Sequence, residues 1–216
     1  MIRRQVAERY AGLTETVFGW PSLIVTVWYF PDALVERAEA EAKRIGKLCN
    51  SIRKGGGNLI GCVGDELIAE YLGGRVFHTD DYDVLLPDGY KVECKSKETT
   101  VTPRESDEAS VALSNTRQKC NAYAFARVLN DLTTAWLCGW ITRDLFFKRS
   151  RLLKKGQIDG SNRFRVRDDC RNAYHYSLNP LWAPPRGEMN SAVTGAAHRK
   201  EAYRAERRAQ LFDHEF

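Results

Sequence analysis

Six cysteines are spread through the sequence at 49, 62, 94, 120, 138 and 170, and no two form a Cys-x-x-Cys pair. This absence argues against a zinc clasp and a compact disulfide framework, leaving reduced thiols in a cytoplasmic protein as the simpler expectation. The four histidines, at 78, 175, 198 and 214, have neither zinc-protease nor nucleophilic-triad spacing. No glycine-rich loop cradles a triphosphate, so no nucleotide cofactor is expected. Long apolar runs are missing too. The stretch from Phe18 to Phe30 contains Pro21 and is too short to span a bilayer. With no small-residue cleavage site after it, it reads as a strand near Leu23 to Tyr29 rather than a signal peptide or membrane anchor.

The chain has 216 residues, 43% of them hydrophobic, enough for one full core with extensions. Net charge is +5, but unevenly placed: residues 148–216 carry 15 Lys and Arg against 8 Asp and Glu, so the rest is slightly acidic. Arg149, Arg151, Lys154 and Lys155 form one basic cluster, and Arg163, Arg165 and Arg167 alternate as if on one face of a strand. Such stripes suit a phosphate backbone, although a solvated face accounts for each cluster taken alone.

Residues 80–97 hold the densest chemistry. Pro87-Asp88-Gly89 is a turn signal between Val84-Leu85-Leu86 and Tyr90-Lys91-Val92, which predicts an antiparallel hairpin. A three-residue loop sets Leu86 opposite Tyr90, Val84 opposite Val92, and Asp83 opposite Glu93. Like charges directly opposed across strands are unfavourable, so this register invites a cation. Glu93 and Lys95 lie two apart and share a face. Oxygen ligands from Asp and Glu suit a hard ion, Mg²⁺ or Mn²⁺, and fit zinc poorly. A lysine there can serve the attacking water or neutralise charge in a phosphoryl transition state.

Asp83 followed by Glu93-Cys94-Lys95 resembles the core motif of the PD-(D/E)XK nuclease superfamily, the restriction-endonuclease-like fold. The departure is Tyr82, where the motif's name leads one to expect proline. The resemblance implies that Asp83 and Glu93 bind the metal, that the carbonyl of Cys94 helps, and that Lys95 assists catalysis. It also implies a further glutamate from the preceding helix. Gly61 to Leu72 reads as that helix, with Ile60, Val63, Leu67 and Tyr71 at helical spacing and Gly73-Gly74 as its stop. Glu66 is the candidate ligand there, with Glu70 as competitor and a solvated helix face as the plain alternative.

Downstream, Ser114 to Arg127 reads as part of a second helix, about 109 to 129. Some branches of the superfamily place a glutamine there, and Gln118 is that candidate; Tyr123 reads as core. The expected order is helix 59–72, strands 75–78, 82–86 and 90–97, helix 109–129 and strand 134–141. That is an α/β fold with a restriction-endonuclease-like α-β-β-β-α-β core, its central mixed sheet flanked by helices. A strand and a helix from Pro31 to Ile45 form an N-terminal extension, 1–54. The core with its basic part covers 55–182, and 183–216 is a basic helical or mobile tail.

These readings point to a Mg²⁺- or Mn²⁺-dependent DNA endonuclease, a homodimer if it cuts both strands. Arg53, Lys54, Arg117 and Lys119 join the clusters of residues 149–167 as candidate nucleic-acid contacts. The competing expectation is a catalytically silent nucleic-acid-binding protein of the same fold. His78, beside Asp80 and Asp81, is a minor metal-ligand alternative.

Overall fold

A computed structural model describes residues 16–17, 20–21, 25–27, 30–46, 58–159 and 163–181. The expectations at Arg53, Lys54 and the tail from 183 lie outside them. Among the described residues the fold is mixed α/β, with three helices and a six-stranded mixed sheet. In chain order the strands are β1 (Thr16–Val17), β2 (Trp20–Pro21), β3 (Val25–Val27), β4 (Arg75–Val76), β5 (Val84–Leu85), β6 (Lys91–Thr99), β7 (Glu108–Ala112), β8 (Ala122–Leu129), β9 (Ala135–Thr142), β10 (Arg151–Leu153) and β11 (Cys170–Tyr174). The helices are α1 (Asp32–Ile45), α2 (Asn58–Leu72) and α3 (Arg143–Arg149). The large sheet runs β3-β9-β8-β6-β5-β4, with β6 and β8 parallel and the other pairs antiparallel. A second sheet, β10-β11-β7, is antiparallel. No helix among the described residues is long and apolar enough to cross a membrane.

Most expected elements form within a residue or two of their predicted bounds. One exception is the helix expected over 109–129. That segment is strand β7, a 3-10 turn at Leu113–Arg117 and strand β8. Alternation explains the correction. In Ala-Tyr-Ala-Phe-Ala-Arg, the alanines turn to one face, where α2 packs closely, and Tyr123, Phe125 and Arg127 turn to the other. Alanine's helix propensity is a weak prior that this packing overrides.

The two faces carry separate cores. Leu34 and Ala38 of α1 and Val63, Leu67 and Ile68 of α2 cover Val84, Val92 and Ala124. On the other face Tyr123, Phe125, Ile141 and Phe146 pack with Val111 of β7. Each fully buried large apolar side chain is worth about 1.5–3 kcal/mol. Tyr123 is fully buried, as its structural reading expects.

Two glycines set close approaches. A Cβ on Gly64 would run into Ser96 Oγ and Cβ, so glycine here brings α2 down onto β6. Gly139 has φ +125 at a bulge in which β8 passes from pairing with Gly139 to pairing with Leu137. A Cβ there would also meet the carbonyl oxygen of Asn179, whose backbone exchanges two hydrogen bonds with Trp140.

Candidate active site

The hairpin forms in the expected register. Val84 pairs with Val92, Leu85 with Lys91, and the Leu86 N–H donates to the Tyr90 carbonyl. Asp83 stands just before β5, held by a short polar turn. The Thr79 hydroxyl donates to the Tyr82 carbonyl and accepts from the Asp81 and Tyr82 N–H groups, while the Phe77 N–H donates to the Asp83 carbonyl at 2.7 Å. Asp83 Oδ2 then accepts the Cys94 N–H at 2.9 Å. This places its carboxylate at the start of β5, beside Glu93.

Glu93 is 2% exposed. Its Oε1 accepts from Lys95 Nζ and, at 2.7 Å, from Gln118 Nε2. Its Oε2 is buried and has no hydrogen-bond partner among the described residues. A buried carboxyl oxygen without a donor is costly, so this atom either shares a proton with the adjacent Asp83 carboxyl or takes a ligand such as a cation. Gln118 is therefore at the site without the helix expected to carry it. The Gln118 side chain also donates to the Asp80 carbonyl and the Lys119 N–H donates to Asp81 Oδ1, which ties this segment to the loop before Asp83.

The acid from α2 is Asp65, one residue before the expected Glu66. Asp65 is 7% exposed, and one oxygen of its carboxylate, one of Asp83 and the Cys94 Sγ all lie within 4.8 Å of one another. Glu66 instead takes a two-pronged bond from Arg37 of α1, at 3.0 and 2.7 Å, and lines a different hollow with Glu70. The sequence did hold a signal for Asp65. It lies three residues from both Cys62 and Ile68, which are buried on the same side of α2. His78, with φ +45, is 3.5 Å from Asp65 Oδ2 and 3.7 Å from Glu41 Oε1, at the rim of the cluster.

The electrostatics follow from crowding. Burial, then the Asp83 charge, pushes the Glu93 carboxyl up to about 7. Burial likewise raises Asp83, and burial with the Asp83 and Glu93 charges raises Asp65. Burial pulls the Lys95 ammonium down, but Glu93 and Asp83 outweigh it and hold the group above its ordinary value. Three carboxyls that resist ionisation beside one retained ammonium form a site short of positive charge.

This cluster lies in the floor of a cleft of about 1470 Å³ between β6 and the second sheet. Along β6, Glu93, Lys95 and Lys97 face the cleft in turn, opposite Tyr123, Phe125 and Arg127 of β8. Lys97 is solvent-exposed at the cleft surface, yet the protein around it and then Arg127 lower its ammonium to about 8. Arg104, Arg127 and Arg167 also line the cleft, and only Arg167 was anticipated.

The other predicted basic residues divide. Arg151 is committed to Glu108 and, at 3.3 Å, to Asp159. Lys154 pairs with Asp169 at 2.8 Å, and Arg165 donates to the Gly156 carbonyl. The strand expected over 163–167 reduces to one bridge between Ile158 and Arg165, with Arg163 at φ +58. The Arg163, Arg165 and Arg167 stripe therefore does not form. Arg117 and Lys119 are exposed, and neither they nor Arg149 and Lys155 border the cleft.

No protein-family model matches this sequence, and no curated protein matches it at a significant level.

A divalent ion fits the donor set. The Asp65 and Asp83 oxygens, grouped with the Cys94 Sγ, are hard oxygen ligands of the kind Mg²⁺ or Mn²⁺ takes, and Glu93, outside that group, adds a buried Oε2 without a donor among the described residues. The Cys94 side chain is the discordant member, because burial raises its thiol well above the ordinary value and a protonated thiol is a poor ligand.

Proposed function

We propose that the protein is a divalent-metal-dependent endonuclease that hydrolyses phosphodiester bonds in DNA. The observation that carries this reading is the convergence of Asp65, Asp83, Glu93 and Lys95 at the floor of a cleft lined by both acidic and basic side chains, with Glu93 Oε2 buried and without a donor among the described residues. The motif Asp83 with Glu93-Cys94-Lys95 resembles that of the PD-(D/E)XK superfamily, and the helix followed by a three-stranded meander agrees with its core. The return from β6 to β8 departs from that core, because it carries a strand and a 3-10 turn where a helix is expected.

Asp65, Asp83 and Glu93 would hold the ion, which supplies Lewis-acid polarisation of the phosphate and offsets the carboxylate charge. Asp65 takes the role first sought at Glu66. Hydrolysis joins a water oxygen to phosphorus and breaks one phosphorus–sugar oxygen bond. The water proton ends, overall, on the departing hydroxyl. Lys95 keeps its proton, so its part is to neutralise charge growing on the phosphoryl oxygens rather than to act as a base. Gln118 holds Glu93 through Nε2, and its own buried Oε1, which has no partner among the described residues, can accept a hydrogen bond from the attacking water.

The test is incubation with supercoiled, linear, single-stranded and branched DNA in Mg²⁺, Mn²⁺ or EDTA, comparing wild type with Lys95→Ala. Cleavage should need the metal and vanish in the variant. Undiminished cleavage by Lys95→Ala would remove this active site; binding without any cleavage would favour a silent binding protein.

A further inference from the structure

The cleft continues past the carboxylates, and its far part is lined differently. Tyr174 and Tyr176 stack there, with ring centroids 5.0 Å apart and planes 12° from parallel. Arg151 lies 5.4 Å from the Tyr174 ring centre. Phe164, 50% exposed, also lines the cleft, with the Arg167 guanidinium 5.5 Å from its ring centre. Half-exposed Phe164 and the stacked tyrosines thus bring aromatic rings to a cleft whose floor is charged. Lys95, Lys97 and Arg127 line the cleft as well, Arg127 donating through Nη2 to the Glu108 carbonyl at 2.8 Å, and Asp107, Glu108, Asp159 and Asp168 set acids among them. Residues two apart on a strand are about 6.6 Å apart, so Lys95 and Lys97 offer successive cations along one line.

We propose that this part of the cleft is a channel for an unpaired DNA strand, with phosphates on Lys97 and Arg127 and bases stacked on Tyr176 and Phe164. The inference rests on the nuclease reading and names its substrate: single-stranded DNA, or a single-stranded segment of a larger molecule. Duplex DNA keeps its bases stacked on one another and shows only their edges in the grooves. Aromatic faces gain from bases only when these are unstacked, and they do so with any sequence. The recessed position of Glu93 and Asp65 agrees, because a single strand can thread to the floor.

The experiment measures fluorescence anisotropy of a labelled 20-mer as single-stranded DNA, as the same sequence in RNA, and as duplex DNA. Protein is wild type in EDTA and Lys95→Ala in Mg²⁺. The expected result is single-strand DNA affinity at least about tenfold above duplex, and a loss of about tenfold in Phe164→Ala and Tyr176→Ala, with Tyr176→Phe close to wild type. The exposed Phe164 guards against a folding artefact at Tyr176. Duplex bound as tightly as single strand, or indifference to both alanine changes, would overturn the channel. RNA bound in preference to DNA would overturn the assignment of the strand. Cleavage is scored separately on the same oligonucleotides with Mg²⁺: duplex cutting without single-strand cutting sinks the channel and leaves the nuclease, whereas no cutting of any substrate sinks the nuclease while anisotropy still decides the channel.

Discussion

Asp65 on α2 and Asp83 at the mouth of the hairpin bring carboxylate oxygens within 4.8 Å of each other, although they come from different elements and 18 positions apart in sequence. Ionising two carboxyls this close, one buried and one half-buried, is unfavourable without a cation, and the register that opposes Asp83 to Glu93 adds a third. The neighbouring Glu66 faces away, paired with Arg37.

Asp65→Asn should therefore lower metal-dependent cleavage about a hundredfold or more, while Glu66→Gln stays within a few-fold of wild type. Steady-state cleavage at saturating Mg²⁺ measures both. Equal losses would show that helix α2 contributes to the site as a whole and not through one carboxylate. The exposed Arg37–Glu66 pair is worth about 0–1 kcal/mol, so E66Q should fold normally.

Lys95→Met should reduce the cleavage rate about 100- to 1000-fold while leaving metal binding, read by calorimetry, at least as strong. Removing the ammonium takes away the main competitor for Glu93 in the metal-free site. A variant that lost metal binding instead would make Lys95 a structural support.

The raised Glu93 carboxyl has a signed consequence. Between its ordinary value of 4.5 and about 7, the folded protein holds a proton that the unfolded chain has released. Stability of the metal-free protein should thus fall as pH rises through that window, the contribution of Glu93 being on the order of a few kcal/mol. Metal affinity should rise over the same interval, because the ion displaces the proton. Thermal melts in EDTA and Mn²⁺ titrations from pH 5 to 8 check both slopes; a metal-free protein that gains stability on passing pH 6 contradicts the assignment.

Cys94→Ser should preserve Mg²⁺- and Mn²⁺-dependent cleavage within about threefold, since the thiol is protonated and the ion favours oxygen. Loss of activity together with a preference for Cd²⁺ would make Cys94 Sγ a ligand and change the ion assigned to this site.

Gly64→Ala should cost about 1–3 kcal/mol, because the added methyl overlaps Ser96 and lifts α2 from β6. Urea denaturation gives the number. If the variant folds, its cleavage should also drop, since Asp65 is the next residue on the displaced helix.

Local pattern in the sequence determined the hairpin, its register, both flanking helices 32–45 and 58–72, and the trio Asp83, Glu93 and Lys95, because turn chemistry and period-two alternation act over a few residues. It placed Gln118 at the site by resemblance, on an element that does not exist. Tertiary packing decided that 122–129 is a strand, since alanines favour either state until α2 lies on them. It also decided that Asp65 and not Glu66 turns inward. Those two residues differ by about 100° around one helix, and only the positions of α1 and β6 distinguish the two directions. The cleft itself, with Lys97, Arg127, Tyr174 and Tyr176 gathered from three strands and a turn, exists only once the two sheets face each other.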